Sequence, residues 1–540
     1  LVRLAIDVAR LPGTRKLGLD YIRAFDRVAH FYAGHPATAE GWRDTIARVA
    51  AHPRDRAGVA AALAAQQERR AAPAAARASA ARLADPRSVA IVTGQQAGLF
   101  GGPVYTLLKA ITAIKLARRV EQQHGVPVVP VFWIDAEDHD WDEVAGCTVL
   151  DADFAPRRVR LASPAGAGEG PVARVCLDEG AAAALAELEA LLPPTEFTPQ
   201  LLADLRAAYR PGVGMSHAFG AWIESLLGPL GLVVYDSADP ATKPAVGPLF
   251  VRELSMPGRT ATLAAEAGAE MEALGYHAQV TPTPDSVALF HLGDTRQPIK
   301  RQGDGFLIGE TPVAAATLVD EATRAPQHFS PNVLLRPLVQ DTLFPTAAYV
   351  GGPSELVYLG QLKGVYAQFG VPMPLVYPRA SATLVDSAGA RFLTRYEVPL
   401  ESLQPRDESA LNRLLEQQLP REVEQALEAA QRAIDERMAS VLAVVGSVDA
   451  TLEGAAKSTL GKMSHELTAL HNKVIQGAKR RDDTLRRQFI RAQAQAFPDG
   501  APQERAIGFV SLLNRVGPAL IDLLDRELPL DLGQHWVLAV

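Results

Sequence analysis

The sequence predicts an α/β protein with a parallel-sheet core and a C-terminal antiparallel α-helical coiled coil. Three observations carry that reading. Residues 88–144 read as apolar strand, glycine-rich turn, amphipathic helix and second apolar strand, a βαβ unit. The same order recurs from Thr346 to Arg379, and residues 408–497 hold two long helical stretches with a seam of apolar residues.

At 540 residues the chain is long enough for two to four domains or subdomains. A hydrophobic share of 48% against 21% charged residues is a globular balance. No run reaches the roughly 18 apolar residues of a membrane span, and residues 1–18 carry scattered charges where a secretory signal has an apolar stretch. A net charge of −7 gives no general attraction to nucleic acid or anionic lipid. Cys147 and Cys176 lack CxxC spacing and read as reduced thiols, so a cytoplasmic protein acting on small molecules is expected, with no nucleic acid and no membrane as partners.

Residues 1–87 are alanine-rich and helical, with Pro73 breaking or restarting a helix. VAIVTG, from Val89, has no polar alternation and fits a strand covered on both faces. Pro103 suits the first turn of the helix that follows, Leu107, Leu108, Ile111 and Ile114 line its apolar face, and Gly125 closes it. PVVPVFWI is the next strand, and it ends in a burst of acids. After Val149 short strands (RRVRLA, PVARVCL) and then helices leave the sheet, which resumes at GLVVYD. A second excursion contains SVALFHLGD and a hairpin turning at Gly303-Asp304-Gly305. In the arm, Leu460, Met463, Leu467, Leu470 and Val474 follow 3-4 spacing, each long helix is expected to reach roughly 50 to 70 Å, and Pro420 and Gly446 are expected to kink or bound its segments. The resulting division is 1–150 (N-terminal helices and first half of the core), 151–212 (first insertion), 213–255 (core), 256–330 (second insertion), 331–385 (core), 386–497 (coiled-coil arm) and 498–540 (helical tail).

Ligands of such units gather at the carboxyl ends of the strands, here Thr93 to Gln96 and Asp135 to Asp142. TGQQAGLFGGP joins strand to helix. It is either an anion site at a helix N-terminus or a plain glycine-rich connection, and it matches neither GxGxxG nor the phosphate-loop pattern. The acids around Glu137-Asp138-His139-Asp140 fit a metal site, an acid/base site for ammonium or hydroxyl groups, or a solvated capping loop. HExxH spacing is absent, and a zinc on Cys147 and His139 lacks two further ligands. Lys462-Met463-Ser464 matches part of KMSKS only by coincidence within the arm, and AKRRDDTLRRQFIR reads as a solvated coil face.

Taken together, IVTGQQAGLFGGPVYTLLKAI, VPVVPVFWIDAEDHDWDEV, the long segment from Ser330 to Arg379, and LGKMSHELTALHNKVIQGAKRR with FPDGAPQER resemble the BshC family, cysteine ligases of bacillithiol synthesis. The resemblance implies a Rossmann-like core similar to class I synthetases, two connecting-peptide insertions and a coiled coil that makes a homodimer. It also implies the joining of cysteine to the amine of glucosaminyl malate. It places Thr93, Gly94, Gln95, Gln96, Gly102, Pro103, Tyr105 and Lys109 in a first motif, Glu137 to Asp140 in a second, and Gly351, Gly352, Pro353 and Glu355 in a third. Two departures stand out. Around the acidic motif, Asp135 stands ahead where the family tends to have a small residue and Ala145-Gly146 follows Asp142-Glu143-Val144 where it has Asn-His, and the HIGH and KMSKS signatures are missing.

The expectation is therefore an amide-forming ligase using ATP or ADP as its nucleotide, with Mg²⁺ as an allowed companion and no firm metal site. Thr93 to Gln96 and the Gly102 turn are expected at phosphate, with Lys109 as a cation, and Gly351, Gly352 and Glu355 also at the ligand. Glu137, Asp138, His139 and Asp140 are the catalytic candidates, binding the amine and taking its proton. The alternatives are a nucleotide-binding dimeric scaffold for thiol synthesis and a metal-dependent hydrolase.

Overall fold

The computed structural model describes residues 3–404, 408–417, 421–481 and 483–540. Pro420 lies outside them, as do Asp482 and the side chains of residues 478–481 and 483 in the basic run. Two compact units are present. One holds the chain up to Thr383 together with Gln503–Leu538, the other Leu384–Pro502.

The first unit is built on five parallel strands: β1 (Val89–Gln95), β2 (Val128–Ile134), β3 (Val233–Asp236), β4 (Thr346–Gly351) and β5 (Leu375–Pro378). Their order is β5-β4-β1-β2-β3. The chain thus winds outward from β1 in one direction to β3 and in the other to β5. This is the Rossmann arrangement, with its switch point between β1 and β4. Every residue of β2 and β4 is buried, which explains why these strands read as unbroken apolar runs. Helix α1 (Val104–His124) returns from β1 to β2 and closes at Gly125, whose φ of 65° is left-handed. Pro103 stands at its N-cap, one place before the first turn.

The excursions leave the sheet where the composition changes. After β2, Gly146–Leu150 pairs antiparallel with Pro156–Arg160, and helices Gly180–Leu191 and Thr198–Ala208 follow. PVARVCL, expected as a strand, is instead a short 3-10 turn at Val172–Arg174. Its amides go elsewhere: Val172 N donates to Asp138 O at 2.7 Å and Ala173 N to Ala136 O at 2.9 Å, clamping the acidic loop. The second excursion holds helix α2 (Lys243–Ser255), helix Arg259–Ala273 and an antiparallel sheet containing Ser286–Leu292, Arg296–Gln302, Gly305–Ile308, Thr311–Ala314 and Phe329–Pro331. Gln302 faces Gly305 across the expected tight turn. Helix α3 (Pro353–Gly360) follows β4.

Two end segments differ from expectation. Arg3–Asp7 and Gln534–Ala539 are strands, paired antiparallel with Arg3 opposite Leu538, so the tail is not wholly helical. Each is short and finds its partner at the other end of the chain, a contact invisible to local periodicity.

In the second unit, Arg421–Val445 and Leu452–Arg481 form an antiparallel helical hairpin: Gln431 Nε2 donates to Ser464 Oγ at 3.1 Å, and His471 Nε2 meets Glu424 Oε1 at 3.2 Å. The 25- and 30-residue helices span about 38 and 45 Å, shorter than the expected reach, and the first ends at Val445, just before the expected boundary at Gly446. Met463 is not a core residue of this hairpin. Ser464, Leu467 and His471 are half-buried, while Met463 and Leu470 remain 41% and 49% exposed. In the basic run, Leu485 and Phe489 are buried and Arg491 pairs with Asp386.

Candidate active site

A cavity of about 680 Å³ opens in the first unit at the carboxyl ends of β1, β2 and β4. Its floor is the switch point. There Thr93 is buried and its Oγ1 donates to Val350 O at 2.8 Å, so it ties β1 to β4 and turns away from the cavity. Gly94 is required by the neighbouring strand, since a Cβ would lie 2.9 Å from Trp133 O. Its carbonyl accepts from Lys109 Nζ at 2.9 Å.

Lys109, one turn and a half into α1, is buried and reaches across to Glu355 Oε2 at 2.6 Å. The same oxygen accepts from Gly352 N at 2.7 Å, and Tyr349 Oη donates to Oε1 at 2.6 Å. Burial pushes the Glu355 carboxyl up, but the Lys109 ammonium, the Gly352 amide and Tyr349 outweigh it and hold the carboxyl below its ordinary range. Gln95 completes this floor: its Oε1 accepts from Lys109 at 3.2 Å and its Nε2 donates to Tyr105 Oη at 3.2 Å.

The acidic loop divides its residues among separate tasks. Gln96 Nε2 donates to Asp138 Oδ2 at 2.7 Å and to Glu143 Oε2 at 2.9 Å, which holds both carboxylates at the cavity wall. His139 Nδ1 lies 3.0 Å from Arg296 Nη1. A guanidinium can only donate, so Nδ1 accepts and the imidazole proton sits on Nε2. Asp140 does not line the cavity. It caps the short helix Trp141–Val144 by accepting from Glu143 N at 3.1 Å. Glu137 is also outside, buried in an ion pair with Lys243 of α2, whose Nζ donates as well to Phe329 O at 3.0 Å. Asp135, by contrast, does line the cavity, with Arg336 nearby, and burial raises its carboxyl despite that cation.

The structure thus brings together Gly94, Gln95, Gln96, Tyr105, Lys109, Asp138, His139, Gly352 and Glu355. It leaves Thr93, Gly102, Pro103, Glu137, Asp140 and Gly351 out of the lining. The first amide of α1 is already occupied, since Val104 N donates to Ile507 O at 2.9 Å, and Phe509 N donates to Gly102 O at 3.2 Å. Gly102, with φ +78°, shapes this turn, in which the Val104 amide is taken up by the chain itself. Cys147 does not join His139 either. Its thiol is buried against Gly508 and pushed up to about 12 by burial.

Four cations absent from the sequence-based set complete the wall: Arg296, Arg336, Arg379 and Arg505. Arg379 is engaged internally, its two terminal nitrogens donating to Glu504 at 2.9 and 2.5 Å, and burial of Glu504 is outweighed so that its carboxyl falls to about 2. Arg336 is buried, donating to Gln340 at 3.2 Å and Tyr358 Oη at 3.3 Å. Arg296 lies 3.7 Å above the Phe290 ring and 3.6 Å from Asp138. Each arginine comes from a different, distant segment. Only SPNVLLRPL and VYPR, within the resemblance, placed two of them near a motif.

A cavity at the switch point, lined by both guanidinium and carboxylate groups, marks a Rossmann-like protein with a polar, charged cleft where such folds hold their ligands. Residues 4–380 match the family described as bacillithiol biosynthesis BshC, N-terminal Rossmann-like domain, and residues 382–540 match the BshC C-terminal coiled-coil domain. The chain belongs to the BshC family. It is 36% identical to a protein of Salinibacter ruber over 538 residues, covering 98% of this chain and 97% of the relative. It is 35% identical to one of Symbiobacterium thermophilum over 495 residues, 89% of each chain, and 32% identical to one of Koribacter versatilis over 528 residues, 96% of each. All three relatives carry the name "Putative cysteine ligase BshC". Among the described residues, no helix is long and apolar enough to cross a membrane.

Proposed function

We propose that this chain is an ATP-dependent ligase that joins the carboxyl group of cysteine to the amine of glucosaminyl malate, forming the amide of bacillithiol. The observation that carries this reading is the mixed wall of one cavity: Arg296, Arg336 and Arg505 interleaved with Asp135, Asp138 and Glu143. The substrates carry the complementary groups, carboxylates on cysteine and malate and amines on cysteine and glucosamine. Guanidinium forks suit carboxylates and phosphates, and carboxylates suit ammonium.

The residues present fit a nucleotide, ATP or ADP, through the arginine wall and not through the start of α1. Lys109 and Arg379 are held by glutamates, Arg336 is fixed by Gln340 and Tyr358, and Arg296 is fixed by Ser330, His139 and Pro331 O and stands 3.6 Å from Asp138, while Arg505 lines the cavity exposed. Arg296 and Arg505 would hold its phosphates, with Mg²⁺ as companion, and Trp133 and Tyr105 offer aromatic surface. When bound, ATP supplies the leaving group that makes the cysteine carboxylate electrophilic.

The chain's own groups then have defined tasks. Arg336, fixed by Gln340 and Tyr358, orients a carboxylate. Asp138, fixed by Gln96, receives an ammonium, and His139 presents its Nε2–H to a substrate oxygen. The glucosamine nitrogen must lose a proton to attack. Asp135 takes that proton onto a carboxylate oxygen, and its raised affinity for protons makes it a better base than an ordinary aspartate. Buried Trp133 and Tyr349 help keep the reacting atoms out of water.

The reading includes a homodimer through the arm, supported by the apolar side chains of Met463 and Leu470, which the hairpin leaves exposed. The free thiols Cys147 and Cys176 suit a reducing cytoplasm. Incubating the purified chain with cysteine, glucosaminyl malate, ATP and Mg²⁺ should give bacillithiol by mass spectrometry. Nucleotide binding without product from any pairing of these substrates would favour a scaffold instead.

A further inference from the structure

Behind the wall of the cavity, three metal-ligating side chains converge from three elements. His291 comes from strand Ser286–Leu292, Glu321 from helix Ala315–Arg324, and His328 from the turn that leads into strand Phe329–Pro331. Glu321 Oε1 lies 3.0 Å from His291 Nε2 and 2.7 Å from His328 Nδ1, and the ligand atoms of all three residues lie within 4.8 Å of one another. We propose that His291, Glu321 and His328 form a binding site for a divalent transition metal of the zinc class.

The donor set favours such an ion over the hard cations. Two imidazoles and one carboxylate suit Zn²⁺, Co²⁺ or Ni²⁺, whereas Mg²⁺ and Ca²⁺ take oxygen-rich shells. The two distances to Glu321 are close to those of a bound ion. Bonds of about 2.0 Å in a tetrahedral site put neighbouring ligand atoms about 3.3 Å apart, so the two contacts to Glu321 need open by only a few tenths of an ångström. Each neutral imidazole needs to move its single proton only to its other ring nitrogen.

The backbone fixes the triad without the ion. Phe329 pairs with His291 across the sheet, which sets His328 next to it, and the Phe329 ring packs edge-on to the imidazole with centroids 5.5 Å apart. Glu321 belongs to a helix anchored by the buried Leu318 and Ala322. The side chains are 21%, 30% and 47% exposed for His291, Glu321 and His328, so an ion can enter and keep a water ligand. The three ligands leave that fourth position open.

The site is separate from the cavity yet adjacent to it. Along a strand, successive side chains point to opposite faces. Phe290 lines the cavity beneath Arg296, and His291, the next residue, turns to the other face with the triad. A bound ion would staple the strand that carries Phe290 to the helix and strand beside it, steadying the Arg296 wall from behind.

The test is titration of the chelator-treated, full-length protein with Co²⁺, followed by its visible d–d absorption. One ion per chain is expected, with the intensity of a four- or five-coordinate site. His328→Ala, at the most exposed ligand and so the variant least able to disturb folding, should weaken binding by at least the about ten- to hundredfold that loss of an outer-shell partner costs. Glu321→Gln, which keeps its shape and its helix, should also weaken it while circular dichroism stays unchanged. No Co²⁺ uptake by the folded wild type, or equal affinity in the His328→Ala and Glu321→Gln variants, overturns the proposal.

Discussion

Lys109 Nζ and Glu355 Oε2 stand 2.6 Å apart across the line where the sheet order reverses, so the helix after β1 is tied to the helix after β4 at the cavity floor. Both side chains are largely out of water, and Tyr349 and the Gly352 amide donate to two further acceptor positions of the carboxylate. Removing one partner strands the other charge. Lys109→Met should destabilise the first unit by about 3–5 kcal/mol, and Lys109→Met with Glu355→Gln by less than the sum of the single losses, in chemical denaturation.

The same pair sets an acid limb. The Glu355 carboxyl binds its proton less readily folded than unfolded. Its contribution is therefore present above the unfolded value of about 4.3 and is lost as pH falls through the lower folded value. Stability measured against pH should fall less steeply below that point in Glu355→Gln than in the wild type.

Glu137 and Lys243 form a second buried pair, and it faces away from the cavity. Glu137→Ala should cost about 3–5 kcal/mol of stability, because the Lys243 ammonium is left uncompensated. Turnover per folded molecule should change far less than in cavity variants. A loss of turnover with unchanged stability would return Glu137 to the chemistry.

Asp135, Gln95 and His139 carry the opposite expectation. Asp135→Asn should lower kcat/KM by about 10²- to 10⁴-fold with folding intact, and the wild-type rate should rise with pH through a point above the ordinary aspartate range. Gln95→Ala and His139→Ala should also impair turnover. Full activity in these variants would remove the cavity from the reaction.

In the arm, Met463 and Leu470 point outward from the helical hairpin. Replacing both by Glu should convert a dimer to a monomer in sedimentation velocity, while cavity ligands still bind. An unchanged dimer would place the contact elsewhere.

The βαβ unit from Val89 to Ile134 was legible in the sequence because its strands are covered on both faces and its turns carry glycine and proline at positions that require them. The acidic loop was legible as a place but not as a division of labour. Glu137, Asp138 and Asp140 differ only in what lies opposite them: Lys243, Gln96 and the Glu143 amide. Arg296, Arg336, Arg379 and Arg505 reach the wall from four distant segments, so no local spacing could assemble them. The pairing of Arg3–Asp7 with Gln534–Ala539 was hidden for the same reason. Met463 shows a different failure: 3-4 spacing marks a stripe on a helix without saying whether the neighbouring helix or another surface covers it.

In the proposed reaction the cysteine carboxylate is activated by ATP and then captured by the glucosamine amine. Cysteine labelled with ¹⁸O in its carboxyl group tests it most directly, with glucosaminyl malate, ATP and the purified chain. Bacillithiol should keep one carboxyl oxygen as its amide carbonyl, and the other oxygen should appear in the phosphorus-containing product of ATP. Bacillithiol formed with no label in that product would contradict it.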